Sequence, residues 1–260
     1  MYPTLKKCKT CDILYAISIP DENSIEEEYK NADFDSSSVA KMASQTYGNY
    51  LKKYMNQNPG SIRTKYAMDI GTGEGSFLKE LKDIGFEKVV GVEPSIAPIK
   101  CADSNIRPLI MNTAFRSDDF AKESFDLITF FQTIEHVFDP VKTINGFHEL
   151  LNSQGVVFII AHDFNAVSAK ILKTKSPIFD IEHLQLFSKK GLYKFLMKSG
   201  FEDIFVFGIK NRYPLAYIAR LFPFPQKIKK PLVHFLENSQ FGNLKINLYM
   251  GNIAAFARKK

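Results

Sequence analysis

The chain has 260 residues, 45% of them apolar and 24% charged. That is enough to bury one large α/β core with small additions, and the composition excludes disorder, collagen-like repeats and coiled coil. The net charge of +6 admits an anionic partner, but the basic residues occur in short scattered clusters such as Lys227, Lys229 and Lys230, the pattern of a solvated basic surface.

No leader or membrane span is legible. The longest purely apolar run, Val156–Ala161, falls far short of the ~20 residues a span needs, so a cytoplasmic location is expected. Cys8, Cys11 and Cys101 give no disulfide framework, which suits a reducing compartment.

Residues 1–35 form a polar, Cys-containing arm. Residues 38–56 read as a helix with Val39, Met42, Tyr47, Tyr50, Leu51 and Tyr54 roughly on one side, capped within Ser36–Ser38 and stopped at Asn58-Pro59-Gly60. An alternation follows. Strands are expected at Tyr66–Ile70, Val89–Val92, Leu109–Met111, Phe125–Phe130, Gly155–Ala161 and Phe201–Phe207. Helices are expected from the glycine turn to about Ile84, and at Ser95–Asp103, Pro140–Leu151 and Lys189–Ser199. Strands alternating with helices mean βαβ units and a parallel sheet covered on both faces. Residues 209–245, rich in Pro and aromatics, break the rhythm with two short helices, and Asn252–Arg258 returns as a last strand.

The most informative stretch is Met68-Asp69-Ile70-Gly71-Thr72-Gly73-Glu74-Gly75-Ser76. A hydrophobic strand runs into three alternate glycines and then a helix. Glycine allows left-handed backbone and close approach of a ligand, and the uncapped helix N-terminus suits a carboxylate or phosphate. A dinucleotide fingerprint would place glycine at 76, where Ser76 stands. Glu93 ends the second strand, 20 residues after Gly73, where an acid can grip both hydroxyls of a ribose.

The D-x-G-x-G-x-G run resembles the first motif of class I S-adenosylmethionine-dependent methyltransferases. Phe125-Asp126-Leu127-Ile128 with Glu135-His136-Val137-Phe138-Asp139-Pro140 resembles that family's F-D-x-I…E-H-x-x-D-P segment. The run from His183 through Phe187-Ser188 to Gly200-Phe201 is similar to its H-x-x-x-F-(S/T)…G-F segment. The likeness covers roughly residues 40–207, and within it the chain resembles the ubiquinone-methyltransferase-like group. It implies a doubly wound, mostly parallel seven-stranded sheet (a Rossmann-like methyltransferase fold) with an antiparallel last strand and a small helical cap. The expected organisation is an arm at 1–35, a core at 36–208, a cap at 209–245 and a closing strand at 246–260.

The resemblance also implies S-adenosyl-L-methionine as cofactor. Gly71, Thr72, Gly73 and Gly75 would meet its methionine part, with Asp69 orienting the loop or the amino group. Glu93 and Pro94 would meet the ribose, and Asn112 and Thr113 the adenine. Phe130, Phe131 and Gln132 would line the crevice at the fourth strand's end, where the two Phe rings serve equally well as core. Base candidates are His183 first, then His162 and His136; a methyltransferase can also work by proximity alone. His148 reads as structural.

The segment Lys6–Tyr15, followed by Pro20, Glu26 and Tyr29, resembles half of a zinc-binding arm. A structural zinc needs four ligands and Cys8 and Cys11 supply two, so no metal is expected in this chain alone. The expected partner is a small-molecule acceptor, a sugar or a polysaccharide- or lipid-linked precursor. No nucleic acid is expected, peripheral membrane contact is allowed, and the assembly is a monomer or homodimer. The alternatives are an NAD-type dinucleotide-binding oxidoreductase and a catalytically inert cofactor-binding domain.

Overall fold

The computed structural model describes residues 5–19, 21, 24, 38–173, 176–179, 182–222 and 224–260. The expected arm residues Pro20, Glu26 and Tyr29, and the caps Ser36 and Ser37, lie outside them.

Two short strands, β1 (Leu5–Lys7) and β2 (Ile13–Ala16), precede a 20-residue helix α1 (Ser38–Gln57). The main sheet then builds from β3 (Tyr66–Ile70), β4 (Lys88–Val92), β5 (Ile110–Met111), β6 (Phe125–Phe131) and β7 (Leu151–His162). After β8 (Gln185–Phe187) it is completed by β9 (Phe201–Pro214) and β10 (Lys245–Lys259). Its seven strands lie in the order β5-β4-β3-β6-β7-β10-β9. β3 pairs in parallel with β4 and β6, β4 with β5 and β6 with β7, while β10 runs antiparallel between β7 and β9. This is the expected α/β architecture, with its antiparallel last strand.

The crossovers are α2 (Ser76–Ile84), α3 (Ile96–Cys101), α4 (Pro140–Leu150) and α6 (Lys189–Lys198), with α5 (Val167–Leu172) after β7. Both sheet faces are covered, so the central strands are apolar on alternate and on adjacent positions alike. On one face Met68, Ile128, Phe130 and Val157 pack with Phe147 and Leu150 of α4 and Leu192 and Leu196 of α6. On the other, Ala67, Leu127, Phe158 and Phe256 pack with Tyr47 and Leu51 of α1 and Leu78 and Leu81 of α2. The chain moves outward from β3 through β4 to β5, then returns to β6 on the other side. That reversal opens a crevice beyond the carboxyl ends of β3 and β6, where open α/β sheets bind ligands.

The structure adds elements the periodicity does not give. β1, β2 and β8 form a separate three-stranded antiparallel sheet. The β1–β2 hairpin is pinned to the start of α6: Ser188 Oγ donates to Asp12 Oδ2 at 2.6 Å, and Lys194 Nζ to the Thr10 carbonyl at 2.7 Å. A Cβ at Gly191 would lie 2.5 Å from the Asp12 carbonyl oxygen, so only glycine admits this contact. Cys8 and Cys11 are free thiols on that hairpin. Among the described residues no three potential ligands converge as a metal site, and no helix is long and apolar enough to cross a membrane.

β9 is longer than the sequence reading has it, and β10 fills the expected closing segment 246–260 in place of Asn252–Arg258 alone. β9 runs on to Pro214 and β10 starts at Lys245, so the two form an extended antiparallel hairpin. α7 (Leu215–Leu221) and α8 (Gln226–Glu237) sit at its tip.

Candidate active site

The glycine loop leaves β3 with Gly71, Gly73 and Gly75 at φ of 71°, 57° and 75°. All three are left-handed, which explains why glycine recurs at alternate positions. The loop is tied to the next strand, since Gly71 N–H and Thr72 N–H both donate to the Val92 carbonyl. Asp69, buried beneath it, accepts Thr72 Oγ1 at 2.7 Å and Thr129 Oγ1 at 2.6 Å. Burial pushes its carboxyl up to about 6 against the pull of these two bonds. Its placement is therefore that of a loop-orienting group.

Glu93 stands across from the loop. One carboxylate oxygen accepts Gly73 N–H at 2.9 Å and the other accepts Ser95 N–H at 2.9 Å. Burial raises its pKa, opposed by the two backbone bonds. Each oxygen keeps a second lone pair, enough for a diol. Asn112 spends its amide N–H groups on the carbonyls of Glu93 and Pro94, tying the end of β5 to that of β4 and leaving Oδ1 as its side-chain acceptor. Thr113 Oγ1 bonds the Ala114 carbonyl.

Phe130 and Phe131 separate at the end of β6, as alternation requires. Phe130 is buried edge-on to Phe147, which is the position of a core residue and removes it from the crevice wall. Phe131 is only partly buried and meets Tyr47, Phe77 and Phe158 edge-on. Gln132 turns the chain with φ of 51°, unusual for a residue with a side chain, and is held there by its N–H bond to the Ile160 carbonyl.

The three candidate histidines, scattered over 47 positions, come together. The His183 ring centroid lies 4.7 Å from that of His136 and 5.1 Å from that of His162. The loop carrying His183 is stitched to the turn carrying His136. Gln185 Nε2 donates to the Ile134 and Val137 carbonyls, and the Glu135 carbonyl accepts Leu184 N–H at 2.8 Å.

Their states differ. His183 Nδ1 lies 2.7 Å from the Ile178 carbonyl, which can only accept, so that nitrogen carries the proton and the ring is fixed to the loop. Burial depresses His136 to about 4; the charge of Glu135 opposes this and His183 and His162 add to it, so the ring is neutral near pH 7. His162 ends β7, 19% exposed at its side chain. Fully buried Glu135 accepts His162 N–H at 2.5 Å and faces Nδ1 at 3.0 Å through the same oxygen. Burial alone would raise the Glu135 carboxyl, but the His162 bonds and the charges of His162 and His136 outweigh it and hold it below its ordinary range. The carboxylate fixes the proton on His162 Nδ1, leaving Nε2 as an acceptor, and Gln132 Nε2 approaches that atom at 3.4 Å. Glu135 is the residue the sequence reading passed over, although its Glu-His pair was in view.

A family profile described as a methyltransferase domain matches residues 42–205, more than half of the chain. The chain belongs to that family. The ubiquinone biosynthesis O-methyltransferase of Actinobacillus pleuropneumoniae serotype 5b is 25% identical over 152 residues, 55% of this chain and 62% of that protein. The tRNA U34 carboxymethyltransferase of Campylobacter jejuni is 27% identical over 171 residues, 63% and 57% of the two chains. The matched stretch spans about three fifths of these relatives. Magnesium protoporphyrin IX methyltransferase from Synechocystis PCC 6803, solved with bound S-adenosylhomocysteine, superposes with a TM-score of 0.56 at 12% identity, covering 92% of this chain and all of that one. At that identity the likeness is one of fold. The dinucleotide-oxidoreductase alternative is set aside.

S-adenosylmethionine is the cofactor this methyltransferase family implies, and the donor set fits it. The first turn of α2 has no side-chain cap and no acid, so its N–H groups suit an amino-acid carboxylate. Glu93 supplies an acceptor pair for a diol on the other side of the same crevice.

Proposed function

We propose that this domain transfers the methyl of S-adenosylmethionine to a hydroxyl of a small-molecule acceptor, with His162 as general base and Glu135 as the residue that positions it. The observation that carries this reading is the Glu135–His162 pair at the carboxyl end of β7, beside the crevice. When bound, the cofactor supplies an electrophilic methyl. The loop Gly71–Gly75 holds its amino-acid end, Glu93 its ribose, and Asn112 Oδ1 offers an acceptor to the adenine amino group. His162 Nε2 takes the acceptor's hydroxyl proton, and Glu135 stabilises the imidazolium that results. Gln132 Nε2, 3.4 Å from His162 Nε2, gives up that lone pair when the acceptor hydroxyl binds. His183 and His136 support this arrangement and take no proton. The O-methyltransferase relative supports a hydroxyl acceptor, and the exposed Phe side chains of the cap suit a sugar or other precursor carried on a lipid.

The test combines titration with S-adenosylhomocysteine and turnover on hydroxylated acceptors. His162→Asn is expected to lose roughly 10²- to 10⁴-fold in kcat with wild-type affinity for S-adenosylhomocysteine. Glu135→Gln, which removes charge from the bond to Nδ1, is expected to lose roughly 10- to 100-fold. Undiminished turnover in His162→Asn, with an unchanged pH profile, refutes the base. Binding of NAD in preference to S-adenosylhomocysteine refutes the reading as a whole.

A further inference from the structure

We infer that the cap on the β9–β10 hairpin docks on an anionic lipid surface. Basic residues are scattered along the chain, and their excess is largest in the cap. Residues 209–245 contain seven Lys and Arg and one acid, Glu237. Taking these from the totals of 34 and 28 leaves 27 of each sign, so the whole net charge of +6 sits in this segment. Six net positive charges within 37 residues make this hairpin end of the molecule electropositive.

The same segment exposes its apolar side chains. Phe222, Phe224, Phe235 and Phe241 account for four of the six Phe side chains prominently exposed among the described residues, and Ile228 and Leu244 join them. Within α8, Leu236 is buried and Leu232 and Val233 are partly so, while Ile228, Pro231 and Phe235 face outward at positions i, i+3 and i+7. Lys227 and Lys230, both exposed, lie along one side of that outward stripe. A cleft of about 260 Å³ on the opposite side of α8 is lined by Arg220, Gln226, Lys229, Val233 and Glu237. Glu237 pairs with the Arg220 guanidinium (Nε at 2.7 Å), so the lysines are the cations available to a headgroup phosphate. An outward apolar stripe with lysines beside it is the pattern of a helix lying in a membrane interface. The exposed aliphatic groups separate this from a nucleic-acid surface, where aromatic rings stack on bases and Ile228, Pro231 and Leu244 would have no role.

Topology sets the orientation. Asn252 pairs with both His162 and Ile209, and the hairpin continues from there to the Pro214–Lys245 pair. Five further residues of strand carry the cap about 16 Å beyond the level of His162, on the edge where the crevice opens. The cap and the site thus lie at the same end of the sheet. Docking stands independently of the methyltransfer reading; delivery of a lipid-borne acceptor to His162 rests on it.

The experiment is co-sedimentation of the full chain with vesicles of phosphatidylcholine, with and without phosphatidylglycerol, at low and raised salt. Binding is expected to require phosphatidylglycerol and to weaken with salt. Lys227→Ala combined with Lys230→Ala should lower partitioning roughly 30-fold, at about five-fold per lysine. Phe235→Ser combined with Phe241→Ser should lower it at every salt concentration. All four positions are exposed, and the same variants should keep wild-type Tm and affinity for S-adenosylhomocysteine. Equal binding to neutral vesicles, indifference to both pairs of substitutions, or binding to a single-stranded RNA oligonucleotide in place of vesicles overturns the inference. Because S-adenosylhomocysteine affinity is read separately, failure to dock leaves the methyltransfer reading intact, and failure to bind the nucleoside leaves docking intact.

Discussion

Glu93→Gln separates the two tasks of the residue at the end of β4. The two oxygens of Glu93 each accept a backbone N–H at 2.9 Å, from Gly73 and from Ser95. An amide is isosteric but has only one acceptor. Its NH2 group must face one of those N–H donors, leaving that donor unpaired in a buried place, which costs about 1–3 kcal/mol. Against the cofactor, one ribose hydroxyl loses its acceptor and the other loses a charge-assisted bond. These losses sum to about 2–3 kcal/mol, so Kd for S-adenosylhomocysteine weakens roughly 30- to 150-fold. Calorimetric titration measures this, and a thermal melt of the free protein should show Tm lower by a few degrees. Acidity gives a second readout. Burial raises the Glu93 pKa, so the acceptor pair is lost as pH falls through that raised value. Wild-type affinity is therefore expected to fall on acidification, and that of Glu93→Gln to stay flat over the same range. A folded Glu93→Gln protein with wild-type Kd would refute the ribose assignment.

Further predictions concern the loop. Asp69 is pushed up to about 6 by burial from a usual 3.8. The folded state therefore binds its proton more tightly than the unfolded state, and the stability this confers is present below pH ~4 and lost as pH rises to ~6. Urea unfolding across that window should show up to about 3 kcal/mol of this loss in the wild type and little of it in Asp69→Asn; parallel pH curves would count against it. Gly75→Ala meets φ of 75° and places its Cβ 2.5 Å from Ile106 Cγ2, whereas Gly60→Ala has nearly the same φ, 78°, with nothing within 4 Å. Both pay about 1–2 kcal/mol for the left-handed backbone, and overpacking adds about 1–3 kcal/mol at Gly75 alone. Equal unfolding midpoints for the two variants would remove the packing argument.

What the sequence made legible was local. The glycine loop, its strand and its helix form one continuous stretch from Tyr66 to Ile84, and each alternate glycine is required by the sign of its own φ. The parallel strands could be read because burial on both faces leaves nearly continuous apolar runs. The histidine cluster was hidden for the opposite reason. It depends on the Gln185 side chain reaching carbonyls 51 and 48 positions away, a contact that leaves no periodic trace. Phe130 and Phe131 had to lie on opposite faces, but which one turned inward was decided by Phe147 of α4. The small β1–β2–β8 sheet escaped notice because its strands have three or four residues each. Glu135 has no local mark in the sequence, because the histidine beside it is His136 while its hydrogen-bonded partner, His162, is 27 positions on.

The position of β10 bears on how the chain reaches its native state. Its buried segment Ile253–Ala257 lies between β7 and β9. During synthesis, β7 therefore emerges nearly a hundred residues before the strand that covers its flank. For that interval Val156–Ala161 presents a bare, strongly apolar edge to other nascent chains. Closure must wait for residues 245–259 to leave the ribosome and insert into a gap already flanked on both sides. Pairing over such separations folds slowly, so the growing polypeptide carries that edge uncovered until β10 arrives.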